Sequence, residues 1–196
     1  MARPRQVSDE AILAAARIVF LEHGPSASTQ AVANAVGLSQ PALFKRFGTK
    51  AELMLKALLP KRDPEWMILV ASGPSLGAGG REQLVELIMR MNAFFTEYAP
   101  CFGTLRASGL HHSDVMARFD EPPPRRAHRL ISEWLERAAT LGLMRPSRFS
   151  SVALSLIGSI QGRVMLEHTA QLPVPADFLD TVVDVYWATL SPEELR

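Results

Sequence analysis

The chain has 196 residues, of which 47% are hydrophobic, and a net charge of +1. That is enough apolar material for one or two folded domains. The single cysteine, Cys101, excludes an internal disulfide and cannot by itself hold a metal, so neither a metal nor a cofactor is expected. No stretch of about 18 uncharged apolar residues occurs, and the start MARPRQVSDE lacks a secretory core, so the reading is a cytoplasmic protein with no membrane partner. Charge is unevenly placed. Residues 1 to 62 hold nine Lys/Arg against four acids, net +5, and the remainder holds twelve against sixteen, net −4. Such asymmetry fits one end facing a polyanion, the alternative being a merely solvated basic face.

Strand signals are nearly absent and apolar residues recur at helical spacing, so the fold class is all-α, with about nine helices. Ser8 caps a first helix carrying Ile12, Leu13, Ala16, Val19 and Phe20 on one face, stopped by Gly24-Pro25. Ser28 caps a short second helix from Thr29 to about Ala35, and Gly37 marks the turn after it. Ser39 caps a third, with Pro41 in its first turn, where a missing N–H is harmless. Phe47-Gly48 ends that helix, and Thr49-Lys50-Ala51-Glu52 has the capping-box pattern of a fourth, running at least to Leu59. GPSLGAGG, residues 73 to 80, reads as a flexible connection.

Two apolar stripes follow, one from Leu84 to Tyr98 and one from Leu130 to Leu141, with a separate short helix expected between them around Pro100 to Ser108. Two last helices cover about Phe149 to Thr169 and Asp177 to Leu190. His111-His112-Ser113-Asp114 is read as a polar loop, since adjacent histidines diverge and no second ligand pair accompanies them. The chain is divided into residues 1–55, a DNA-binding domain, and 56–196, an effector-binding and dimerisation domain.

Three short helices within about forty residues, the last two joined by a tight turn, form a helix-turn-helix, whose last helix enters the major groove. Val32, Ala33, Leu43 and Phe47 are placed to pack on Ile12, Ala16 and Phe20. Gln40 suits an adenine edge, and Pro41 and Ala42 suit a thymine methyl. Arg5, Lys45 and Arg46 suit phosphates, and Ser28, Thr29, Ser39 and Phe44 complete the expected DNA-facing set. Lys50 is the most informative residue. A cation in the first turn of a helix opposes its dipole by about 0.3–1 kcal/mol, a penalty removed when an anion sits there.

From Ser8 to Leu58 this block resembles the TetR family of bacterial regulators, through Ile12-Leu13, Ala15-Ala16, Phe20, Gly24, Thr29, Val32-Ala33, Gly37-Leu38-Ser39, Leu43-Phe44, Phe47, Lys50 and Leu53. Phe44 stands where the family usually has tyrosine, so a phenol-to-phosphate bond is lost. Arg46 stands where histidine is common, and Ala51 replaces a common acidic residue. The resemblance implies that the remaining helices bind a ligand and dimerise.

In the penultimate helix Ser155, Gly158, Ser159 and Gly162 form a strip of small residues, and each interior glycine costs about 0.8–1 kcal/mol relative to alanine. Close approach of a partner helix offsets that, so a homodimer is expected through this strip and through Val182 and Tyr186 of the last helix. Two linked motifs imply a palindromic operator in double-stranded DNA. Met91, Phe95, Tyr98, Phe102, Trp134, Gln161 and Met165 are the candidate lining of a mostly apolar effector cavity, with simple core filling as the alternative. A ligand-released repressor is therefore expected. An enzyme finds no Ser/His/Asp arrangement, phosphate loop or paired carboxylates to support it. A helical interaction module without DNA binding is the third reading.

Overall fold

The computed structural model describes residues 7–192. Among them the regular structure is entirely helical: α1 (Asp9–His23), α2 (Thr29–Ala35), α3 (Gln40–Phe47), α4 (Lys50–Leu58), α5 (Glu65–Ser72), α6 (Gly80–Ala107), α7 (His112–Met116), α8 (Pro123–Thr140), α9 (Phe149–Ala170) and α10 (Phe178–Leu190). A 3-10 turn, Gly24–Ser26, follows α1.

Two compact units result. The first takes in the chain up to Lys61 together with Pro100–Val115; the second takes in Arg62–Ala99 and the chain from Met116 onward. A division at residue 55 would cut α4 among Met54, Leu55, Ala57 and Leu58, all buried. The first unit therefore keeps the whole of α4.

In the first unit, Ile12, Ala16 and Phe20 of α1, Val32 and Ala33 of α2, and Leu43 and Phe47 of α3 are all buried, as their helical spacing demands. Serine and threonine caps start α1 to α4. Ser8, Ser28, Ser39 and Thr49 accept from the backbone N–H groups of Ala11, Gln30, Ala42 and Glu52 at 3.1–3.3 Å. The α2–α3 turn is closed by two bonds, Leu38 N–H to Ala33 O at 2.9 Å and Gly37 N–H to Asn34 O at 3.2 Å. That pairing needs a left-handed residue at position 37, and Gly37 supplies it with φ 67°.

The second unit is built around one apolar cluster drawn from α5, α6, α8, α9 and α10, including Trp66, Leu87, Met91, Phe95, Trp134, Leu156 and Ile160. Arg137 of α8 donates to Val70 O in the last turn of α5 at 2.9 Å, and Arg126 grips both oxygens of Asp63 at 2.7 Å. α9 is long and apolar enough to cross a membrane by length and composition, but Ala153, Leu156, Ile160 and Val164 are buried along one of its faces. That face packs on the apolar cluster of the second unit.

Several expectations are corrected. The separate helix at Pro100 does not form; α6 runs unbroken through the proline, with Met91 and Phe95 buried before it and Cys101 and Leu105 after it. Burial on both sides holds a helix that local propensity would break. The GPSLGAGG connection is stitched down by the buried amide of Gln83, which accepts from Ser75 N–H at 2.8 Å and donates to the carbonyls of Ser75 and Ala78 at 2.8 and 2.9 Å. Part of the His111–Asp114 loop is helical, within α7. α4 ends at Leu58, and α5 was not anticipated.

Candidate nucleic-acid interface

The third helix is short, eight residues, so its pose depends on what lies beneath it. Leu43 and Phe47 are buried, which turns Pro41, Phe44 and Lys45 to solvent and leaves Ala42 half-buried. The first-turn residues that would meet base edges are therefore presented on a fixed helix. Ser28, Ser39 and Thr49 spend one lone pair each on capping, and their hydroxyl hydrogens stay available to an external acceptor. Lys50 occupies the first position of α4, half-buried, and makes no hydrogen bond or ion pair with the described residues. Its ammonium and the N–H groups of that helix start have the chemistry to receive an anion.

Three expected DNA contacts have other partners within the chain. Thr29 is only 5% exposed, and its hydroxyl accepts from the Gln40 amide at 2.7 Å. Gln40 is thereby oriented by α2, with its Oε1 remaining as an acceptor. The Arg46 guanidinium turns toward the start of α1, donating to Val7 O at 2.6 Å and pairing with Asp9 at 3.4 Å. It braces α3 against α1, so its charge is not turned outward in place of the missing tyrosine phenol. Arg5 lies outside the described residues. Gln30, exposed on α2 and bonded to Asn34 at 2.7 Å, is a polar residue beside the motif that sequence reasoning passed over.

The expected effector residues do not come together as one set. Met91, Phe95 and Trp134 are buried in the core of the second unit, and Tyr98 packs on Phe94 with ring centroids 4.9 Å apart. Gln161 and Met165 point outward from α9, Met165 being 48% exposed, because the buried face of that helix is set by Ala153, Leu156, Ile160 and Val164. Phe102 belongs to the first unit and is exposed. A surface cavity of about 330 Å³ lined by Gly79, Gly80, Arg81, Leu143 and Trp187 contains none of them.

Burial of polar atoms separates the two units. In the second, the indole nitrogens of Trp66 and Trp134, Oδ1 of Asn92 and Nε of Arg163 are buried without a hydrogen-bond partner. In the first, no buried side-chain nitrogen or oxygen of the described residues lacks one.

Ser155, Gly158, Ser159 and Gly162 lie on α9, with open space around the two glycines. Val182 and Tyr186, however, are buried within their own chain, and the Tyr186 hydroxyl bonds to Ser155 and Ser159 at 2.8 and 3.0 Å. The outward apolar residues are instead Leu154, Met165 and Leu166 of α9 and Val185 of α10.

A capped three-helix unit with a glycine turn between its second and third helices is a helix-turn-helix. The sequence profile of the bacterial regulatory proteins of the tetR family matches residues 12–57. Escherichia coli (strain K12) has a similar protein, the HTH-type transcriptional repressor BdcR, 29% identical over 117 residues; the match spans 59% of this chain and 59% of that relative's length. Two solved structures share the fold. A TetR family transcriptional regulator from Pseudomonas syringae pv. tomato str. DC3000 superposes with a TM-score of 0.67 at 16% identity, covering 94% of this chain and 98% of the other. A TetR-like transcriptional regulator from Rhodococcus sp. RHA1 gives 0.64 at 21% identity, covering 96% and 98%. Residues 12–57 are thus similar to the tetR family, and the fold is the one shared by TetR-like regulators.

Proposed function

We propose that this chain is a dimeric, sequence-specific DNA-binding repressor, released from a palindromic operator by a small, mostly apolar ligand. The observation that carries the reading is Lys50, a cation without a partner among the described residues, at the N-terminus of α4 beside a third helix locked by its buried face. DNA phosphate removes the dipole penalty at Lys50, while Gln40, Pro41 and Ala42 address bases. The repressor sense is supported by the similar Escherichia coli protein BdcR, a transcriptional repressor. Dimerisation through the outward face of α9 and α10 is supported by the exposed Leu154, Met165, Leu166 and Val185 around two open glycines. Two copies joined there would present two third helices to two half-sites. The place of action is the cytoplasm, where the operator lies.

The test is binding to a duplex carrying the DNA upstream of the gene, measured across salt concentrations. Lys50→Ala should weaken binding and flatten the plot of log affinity against log salt by about one unit, with the oligomeric state unchanged. An unchanged slope overturns the role given to Lys50.

A further inference from the structure

α9 is apolar along most of its length, yet it carries Arg163 with a side chain only 11% exposed. Burying a guanidinium is costly unless its hydrogen-bonding edges are filled. Two are: Nη1 donates to Glu167 at 2.8 Å, and Nη2 donates to the Thr96 hydroxyl of α6 at 2.8 Å. Nε is buried without an acceptor. One turn before Thr96 on the same face of α6 stands Asn92, whose Oδ1 is also buried and unpaired. Asn92 thus stands one turn from Thr96, whose hydroxyl is the point where α6 meets Arg163 of α9. Met91 and Phe95, next in the chain to this pair, and Val164, next to Arg163, are buried in the apolar cluster.

We propose that Asn92, Thr96 and Arg163 form the acid-binding end of the effector site, and that the effector is an amphipathic monocarboxylate; this rests on the ligand-release reading above. A guanidinium edge is planar, permanently charged and matched to the two oxygens of a carboxylate. A flip of the Asn92 amide turns its Nδ2 donors toward the same anion. Among the described residues Arg163 pairs with Glu167, itself half exposed, and its Nε is left open to a further acceptor. The site also has a means of affecting the chain. Pro100 has no N–H, so the Thr96 carbonyl lacks its ordinary helical donor, and α6 is held at this turn by the Arg163–Thr96 bond. A carboxylate that takes the Nε–Nη2 edge loosens that bond.

The experiment titrates the full-length chain with decanoate and 4-phenylbutyrate, and with the alcohols 1-decanol and 4-phenylbutanol, following tryptophan fluorescence and melting temperature. At least one carboxylate should bind while its alcohol binds about tenfold more weakly, the scale of one charge-assisted hydrogen bond. Arg163→Met should remove the preference for the acid. Asn92→Asp, which supplies an internal carboxylate one turn from the Thr96 contact, should exclude the external one while keeping the helical fold. Equal binding of acid and alcohol, unchanged acid binding in both variants, or no binding of either acid overturns the proposal. Release from the upstream duplex is measured separately. Acid bound through Arg163 without a loss of DNA affinity supports this site and overturns the ligand-release reading.

Discussion

The two units treat buried polarity in opposite ways. Around the helix-turn-helix, Thr29 meets Gln40, Arg46 meets Val7 and Asp9, and each of the four helices up to α4 begins on a side-chain cap. In the second unit α5, α8, α9 and α10 start without a side-chain cap bond, and four buried polar atoms go unpaired. Satisfied polar groups fix one arrangement, which is what a surface that must match DNA requires. Unsatisfied ones raise the energy of the isolated chain and leave a place for an external partner to lower it.

The largest effect expected from breaking this contrast is in the first core. Phe20 is fully buried, and Phe20→Ala should cost about 3–5 kcal/mol through lost burial and the cavity left behind. Because the cost falls on the first unit, hydrogen exchange should quicken in α1 to α4 while the amides of α8 and α9 keep their protection. DNA binding should fall with it. Equal loss of protection in both units would mean that they unfold as one, and the contrast drawn here would then carry no thermodynamic weight.

The same contrast explains what could be read from the sequence. The first unit is written in local signals: a cap before each helix, glycine at the turns, and apolar residues at helical spacing, so α1 to α4 and their core were legible. What was not legible there were the long-range polar partners. Arg46 is 39 positions from Val7, and only the packing of α3 on α1 shows that its charge turns inward. In the second unit the signals conflict. EWMILVAS is apolar on all sides and opens at Pro64 without a side-chain cap, so α5 left no boundary to detect. Pro100 signalled a break that burial on both sides overrides. α10 is apolar on more than one face, and nothing local distinguishes Val182, which turns in, from Val185, which turns out. Arg163 carried a legible hint, as an isolated cation in an apolar helix. Asn92 carried none.

A smaller effect sharpens the role of the open glycines. No side-chain or neighbouring backbone atom lies within 4 Å of the position a Cβ would take at Gly158. Within the single chain Gly158→Ala should therefore stabilise α9 by about 0.8–1 kcal/mol. If a second copy packs against that strip, the same methyl group intrudes on the closest approach, and the dimer should dissociate more readily. Sedimentation and thermal unfolding of one variant thus give opposite signs for the assembly and for its subunit. A variant that is more stable by both measures would show that the α9 face is not the contact.

The smallest expected effect lies on the surface of the second unit, where the turn ahead of α8 is tied down by Glu121. Its carboxylate receives two hydrogen bonds from Arg129, at 2.7 and 3.0 Å, and these, with the charges of Arg129, Arg126 and Arg125, hold its pKa below the ordinary glutamate value. A carboxyl whose folded pKa is depressed contributes stability at neutral pH, and that contribution is lost as pH falls through the range between the unfolded and folded values. The pair is exposed, so water and salt screen it, and the effect is modest. The melting temperature of Glu121→Gln should accordingly lie slightly below that of the parent chain at neutral pH. The gap should close as the pH is lowered below about 4, and it should narrow with added salt. A gap that survives in acid would assign the contribution of Glu121 to packing rather than charge.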